Sequence, residues 1–374
     1  MNFGFTAEQD IFRSEVRKFL DNNAPLEEVR RIMESDEGYS PKLWQEMAQM
    51  GWLGLLIPEE HGGVDLGWVD LTVLLEECGR TLFPSPLLAS TVAAIALMEN
   101  GSAAQQARWL PSIAAGEAIF SVALVEANDR LSEQGVELLG EKSQQGAELR
   151  GEKLFVPDAT AATHFVVSFR TGDGPEGVRL AVVEAGASGL TIEDLPGLDT
   201  TKRIGRVRFD GVSVDADCIL DGSPGWAAVA RLLDHAAAAV TAEAIGASEG
   251  AHALMVEYAK QRVQFGSLIG RFQGVKHPLA DMYVDIESFK SLLYYAAWCL
   301  DKNPEEAPRH VSMAKALASD AFTRIGIDGI ELHGALGYTW EYDAQLYLKR
   351  SKWVKAAFGG SDHHYERVAA LGGL

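Results

Sequence analysis

The sequence predicts an α+β protein in which one β-rich segment separates two helical segments. Apolar residues recur at three- and four-residue steps up to about residue 117, and short β-branched runs occupy residues 118–223. Long Ala- and Leu-rich amphipathic stretches fill residues 224–374. We therefore expect three domains with these bounds: an N-terminal helical domain, a middle β domain and a C-terminal helical bundle.

The N-terminal segment has the spacing of amphipathic helices. Apolar residues such as Ile11, Val16, Phe19 and Leu20 recur along this segment, and Pro and Gly separate the helix from the next. A turn-rich connector runs from 51 to 63 with the sequence GWLGLLIPEEHGG. This pattern predicts several short packed helices rather than one long helix.

The middle segment changes to strand-like runs. Examples are 166–169 (VVSF), 180–183 (LAVV) and 207–209 (VRF), which Gly, Asp and Pro residues separate from one another. After Pro224-Gly225-Trp226 the helical spacing returns and continues through Ala356. The order helical, β, helical is thus visible without any internal repeat.

Composition excludes several classes of function. The chain has 374 residues, 47% apolar content and a formal net charge of −20, which together predict a large buried core and disfavour nucleic acid or anionic membrane as partners. Cys78, Cys218 and Cys299 lie far apart without metal-ligand spacing, so we expect buried thiols in a reducing compartment.

Neither a leader nor a membrane span is predicted. The first residues carry no basic and apolar leader pattern, which predicts a cytoplasmic location. The apolar run 87–98 is too short to span a bilayer, and charged residues interrupt the run 227–247. Both runs read as helices buried in protein.

Three ordered blocks in the last third of the chain carry the functional signal. They are 262–266 (RVQFG) with 272–273 (FQ), 332–338 (LHGALGY) and 358–367 (FGGSDHHYER). Arg262 lies near a predicted helix end, from which a guanidinium can reach a diphosphate. The blocks, their separations and the domain order resemble the acyl-CoA dehydrogenase family over nearly the whole chain.

The resemblance implies the fold and the cofactor. The family has a barrel-like middle β domain, a C-terminal four-helix bundle and FAD. By resemblance, Arg262, Phe265 and Gln273 hold the pyrophosphate and adenine end of an FAD whose flavin ring lies in the neighbouring subunit. Gly334 and His363 are further positions that contact FAD in the family, and close packing is an equally good reading of the glycine.

The chain departs from the family where chemistry is expected. The family places its catalytic carboxylate at one of two positions, and here these are Gly359 and Ala236. Two hydroxyl residues that reach the flavin ring are replaced by Val125, which has no donor, and by Pro157, which lacks even an N–H. Proton abstraction from a CoA thioester needs a carboxylate, so neither family position supplies the base.

These departures predict the base-lacking partner in a heterotetrameric acyl-CoA dehydrogenase of the kind that acts on steroid side-chain CoA thioesters. A catalytic subunit, an acyl-CoA substrate and an electron-transfer flavoprotein are the implied partners. One alternative is a self-sufficient homomer with a displaced base, Glu243 or Asp362; another is an inactive scaffold. Asp362, His363 and His364 lack any further ligand spacing, so no metal site is predicted.

Overall fold

The computed structural model describes residues 5–142, 146–220, 222 and 225–373. Its helices begin and end where the sequence provides caps and breaks. Thr6 caps α1 and Ser102 caps α6: each cap hydroxyl accepts the backbone N–H of the glutamine three residues on, and the side-chain oxygen of that glutamine accepts the N–H of the cap residue. The α-helices are α1 Ala7–Asn23, α2 Leu26–Met33, α3 Pro41–Gln49, α4 Trp68–Arg80, α5 Leu87–Asn100, α6 Ala103–Ala114, α7 Trp226–Gln261, α8 Gln273–Lys302, α9 Ala307–His333, α10 Ala344–Ala356 and α11 Ser361–Leu371.

The strands occupy the middle of the chain and one hairpin in its last third. They are β1 Phe120–Ala123, β2 Leu139–Lys142, β3 Gly146–Pro157, β4 His164–Arg170, β5 Val178–Glu184, β6 Leu190–Leu195, β7 Ile204–Asp215, β8 Ile219–Leu220, β9 Val263–Gln264 and β10 Ser267–Leu268. The α+β class predicted from the sequence is therefore confirmed. Length and hydropathy rule out a membrane crossing for every helix in the described residues.

Two compact units divide the chain, and each contains separate stretches of sequence. The helical unit comprises the described parts of Met1–Arg31, Trp68–Phe83 and Ala237–Leu374. The sheet unit comprises Ile32–Gly67 and Pro84–Ala236. The domain boundaries near 117 and 223 stay a prediction.

Helices α4 and α7 pack closely against each other in the helical unit. A Cβ placed on Gly246 would lie 1.7 Å from the carbonyl oxygen of Glu76, and one on Gly79 would lie 2.0 Å from that of Glu243. Only glycine allows two helix backbones to approach this closely. Both helices are buried along most of the contact.

The sheet unit is built on an eight-stranded mixed sheet. The strand order is β6-β7-β3-β2-β4-β5-β8, and β1 pairs in parallel with β4. The long antiparallel pair β3–β7 is the most extensive, with register shifts at 149/150 and 153/156. One face carries a buried apolar core that includes Leu149, Phe165, Phe169 and Phe209.

Candidate functional site

A tight hairpin follows α7 and presents an aromatic side chain to solvent. Strands β9 and β10 pair across Phe265 and Gly266, both with positive φ (52° and 73°), as a two-residue hairpin turn requires. The φ of Phe265 is unusual for a bulky residue, and its side chain is 94% exposed. Its ring meets the Phe272 ring edge to face, with centroids 6.3 Å apart. The turn thus holds the Phe265 ring in solvent, beside Phe272.

Arg262 and Gln273 flank this hairpin with exposed, uncommitted side chains. Neither side chain makes a hydrogen bond or ion pair within the described residues. Gln273 begins α8, whose N-cap residue Phe272 provides no side-chain bond, so the positive end of a 30-residue helix opens here. A Cβ on Gly266 or Gly274 would meet no atom within 4 Å. The arrangement fits an approaching diphosphate.

The two glycines after α9 have different structural reasons. Gly334 ends α9 with φ 61° and ψ −136°, and a Cβ there would meet nothing within 4 Å. Gly337 is buried, and a Cβ there would lie 2.9 Å from the carbonyl oxygen of Ile330. Close packing explains Gly337, whereas Gly334 leaves an open backbone that a ligand can approach.

In the sheet unit, the two positions that hold hydroxyls in the family are apolar. The Val125 carbonyl accepts a bond from the Leu154 N–H at 2.9 Å, and the Pro157 carbonyl accepts a short bond from the Ser121 hydroxyl. Phe155 has φ 53° and is about half exposed. These contacts are strand pairing and packing, so Val125 and Pro157 supply no side-chain donor to a flavin ring.

The sequence does not predict a buried ion pair that lies beside these positions. The Lys153 ammonium lies 2.5 Å from the Glu126 carboxylate and 2.9 Å from the Ser168 hydroxyl. Glu126 also accepts the N–H groups of Glu137 and Leu138, and burial lowers the pKa of Lys153 to about 8. The signal available in the sequence was a lysine amid a strand-like run. The pair fixes the segment that leads into β2.

The position of the family's C-terminal base cannot easily hold a side chain. Gly359 has φ +103°, and a Cβ there would lie 2.7 Å from His363 Cδ2 and 2.9 Å from His364 Nε2. At the second family position, Ala236 and the adjacent Ala237 are fully buried. The structure therefore places no carboxylate at either position.

The two candidates for a displaced base lie in unlike surroundings. Glu243 is 4% exposed, and its Oε2 lies 3.5 Å from Nη1 of the fully buried Arg350. Asp362 is exposed in the first turn of α11, next to the half-buried His363. Glu243 thus has a structural partner and Asp362 is a solvated surface carboxylate. Within the described residues, no group of three or more His, Cys, Asp or Glu could hold a metal ion.

Comparison with known proteins identifies the class. The family model of the acyl-CoA dehydrogenase N-terminal domain matches residues 6–117, and that of the C-terminal domain matches residues 223–371. The chain belongs to the acyl-CoA dehydrogenase family. Members are FAD-dependent oxidoreductases, which confirms the predicted cofactor and enzyme class.

Among its relatives are two acyl-CoA dehydrogenases named IpdE2. The protein from Mycolicibacterium smegmatis is 30% identical over 97% of this chain and 98% of its own length, and that from Mycobacterium tuberculosis is 32% identical over 92% and 91%. Among solved structures, a variant of the "Tcur3481-Tcur3483 steroid ACAD" matches with TM-score 0.88 and 30% identity, covering 98% of both chains. The ChsE4-ChsE5 complex from Mycobacterium tuberculosis matches with TM-score 0.91 and 26% identity, covering 99% of this chain and 98% of that one.

Proposed function

We propose that this chain is the base-lacking subunit of a heterotetrameric acyl-CoA dehydrogenase that catalyses α,β-dehydrogenation of an acyl-CoA thioester. The observation that carries the proposal is the family's base position, where Gly359 has no carboxyl group and an added Cβ would lie 2.7 Å from the His363 ring and 2.9 Å from the His364 ring. The exposed hairpin and the start of α8 retain the groups suited to the tail of FAD. The chain lacks the groups that would serve its own flavin ring and substrate but keeps those suited to the tail of a neighbouring FAD. This combination supports a site shared between subunits.

The names of two structural relatives support a partner subunit. The Tcur3481-Tcur3483 protein and the ChsE4-ChsE5 complex are each named as a pair, and the first is called a steroid ACAD. On that likeness we propose a catalytic acyl-CoA dehydrogenase subunit as the partner. A steroid side-chain CoA thioester is the substrate class we propose.

An exposed apolar surface on the helical unit suits such a partner. We call it the α8 patch; it consists of Val263, Phe265, Leu268, Phe272, Tyr283 and Val284. Large exposed apolar residues clustered within 22 positions of one hairpin and helix mark an interaction surface, because leaving them in water is unfavourable. The patch includes Phe265, one of the residues proposed to hold the tail of FAD, so one partner can cover both the patch and the FAD tail.

In the proposed mechanism this chain binds and orients, and the partner supplies the base. Bound FAD would supply the acceptor for the hydride that leaves the β-carbon of the acyl group. Arg262 would hold the diphosphate with its guanidinium donors, and the N-terminal end of α8 would add positive potential. Phe265 offers a face to the adenine ring, and Gln273 offers an amide. The partner's carboxylate removes the α-proton, and electrons leave to an electron-transfer flavoprotein.

Purification of the chain alone and with a catalytic subunit tests the proposal. The chain alone should lack turnover, since a missing general base costs about 10²–10⁴-fold. The mixture should be yellow and active. An active homomer would contradict the proposal in favour of a displaced base, and a mixture that stays colourless and inactive would contradict it in favour of a scaffold.

Arg262→Ala in the complex tests the diphosphate role. Loss of a charge-assisted bidentate contact, worth about 1.5–3 kcal/mol, should weaken FAD binding about 10- to 100-fold. Arg208→Ala is the matched control, because Arg208 is an exposed arginine on β7 outside the tail site. Equal FAD affinity of both variants, measured by flavin fluorescence on dilution, would contradict the assignment.

A further inference from the structure

The connector between α10 and α11, residues 357–360, has an uncommon backbone. Phe358 and Gly359 take consecutive positive φ values of 53° and 103°. A non-glycine residue rarely adopts either value, and strain of this kind persists only where surrounding contacts enforce it. The contacts that enforce it here come from α9 and α11.

Lys315 on α9 binds this connector through its side-chain amine. It is fully buried, and its amine donates to the carbonyl oxygens of Val354 at 2.8 Å and Gly359 at 2.9 Å, and contacts the Ser319 hydroxyl at 3.0 Å. Burial lowers the pKa of Lys315 to about 7. One side chain thus ties the last turn of α10 to the carbonyl of residue 359.

His364 on α11 binds the neighbouring carbonyl. Its Nε2 donates to the Phe358 oxygen at 3.1 Å, and its Nδ1 lies 3.3 Å from the Ser312 hydroxyl. Burial, with the nearby Lys315 amine, lowers the pKa of His364 to about 3, so the ring is neutral and has one N–H to donate. The same ring occupies the space that a Cβ on Gly359 needs.

We infer that Lys315 and His364 are positioning residues that lock connector 357–360 in a backbone shape from which any side chain at position 359 is excluded. The chain is then non-catalytic by conformation as well as by composition. Replacing the missing carboxylate at position 359 would not by itself recreate a base, because the new side chain would have to displace the His363 and His364 rings and adopt a φ near +103° that non-glycine residues rarely take.

Local hydrogen exchange tests the lock itself. Lys315→Met keeps the volume and removes the donors, and it should speed amide exchange in 357–361 at least about 10-fold relative to the rest of the helical unit. Lys153→Met is the matched control, because Lys153 is an equally buried lysine in the sheet unit. It should leave exchange in 357–361 unchanged. Unchanged exchange in Lys315→Met, or an equal rise across the whole chain, overturns the inference.

Turnover tests the consequence, and this second test rests on the proposed function. In a complex whose catalytic subunit has lost its own base, Gly359→Glu should give turnover no higher than the complex with wild-type Gly359. Turnover raised 100-fold or more by Gly359→Glu alone overturns the lock while leaving the proposed function intact. Turnover by the wild-type chain alone instead overturns the proposed function, and the exchange result still decides the lock. If Gly359→Glu does not fold, the exchange comparison decides alone.

Discussion

Removal of the Glu243 carboxylate separates a structural role from a catalytic one. Glu243 lies on α7 within the close α4 contact, and its Oε2 is 3.5 Å from Nη1 of Arg350. Nη2 of Arg350 also donates to the Leu82 carbonyl at 3.4 Å. Both charged side chains are almost completely buried. Glu243→Ala would leave the arginine charge inside the protein with its carboxylate partner gone.

The magnitude follows from the separation and the burial. At 3.5 Å and an effective dielectric constant of about 20, the attraction is about 5 kcal/mol. Deleting one partner of a buried pair is destabilising by about 3–5 kcal/mol, because an uncompensated charge remains. We expect Glu243→Ala to lower the free energy of unfolding by that amount. Replacing both partners, as Glu243→Leu with Arg350→Met, should recover most of the loss.

Urea unfolding followed by circular dichroism measures the change in the assembled complex. Glu257→Ala is the control, because Glu257 lies on the same helix but pairs with Lys260 in solvent, where a pair is worth less than about 1 kcal/mol. Turnover per folded complex should be unchanged in the Glu243 variants. A 100-fold lower kcat in Glu243→Gln with undiminished stability would refute the structural reasoning and favour a displaced base.

Two further predictions concern packing and pH. Gly246→Ala should be destabilising by about 3 kcal/mol or more, because the added methyl meets the Glu76 backbone. Gly329→Ala makes ordinary contacts and should change stability by no more than about 1 kcal/mol. Equal midpoints of thermal unfolding for the two variants would contradict this prediction. The pKa of His364 is lowered from 6.5 to about 3, so its contribution to stability is present above pH 6.5 and lost toward pH 3. The stability difference between wild type and His364→Gln should shrink by up to about 1.4 kcal/mol per pH unit in that window, and parallel curves from urea titrations would count against it.

Local sequence patterns were sufficient for the fold class but not for the assignment of helices to cores. The periodicity of α4 and the β-branched runs of β4 and β5 appear within a few residues, so both element types are predictable. Which core a helix joins depends on contacts between distant positions. The segment 68–83 packs with 237–374, and no pattern within either segment indicates this.

The same distinction holds for the candidate site. The Arg262–Gln273 block is contiguous, and its turn chemistry is visible in Phe265-Gly266. The bond from Lys315 to the Gly359 carbonyl spans 44 positions and that between Glu243 and Arg350 spans more than 100, so neither leaves a local signal. A missing carboxylate could be read from the sequence, but the backbone shape that accompanies it could not.

The glycine-lined crossing of α4 and α7 bears on how this polypeptide can be divided. A shortened chain that starts at residue 224 would retain α7 but lose the helix whose backbone fills its glycine groove. Water would then reach the apolar surface of α7 that α4 covers. Any autonomous fragment of the bundle must therefore carry residues 68–83 as well, joined through an artificial linker. A genetic fusion or a circular permutation should therefore keep residues 68–83 together with the bundle.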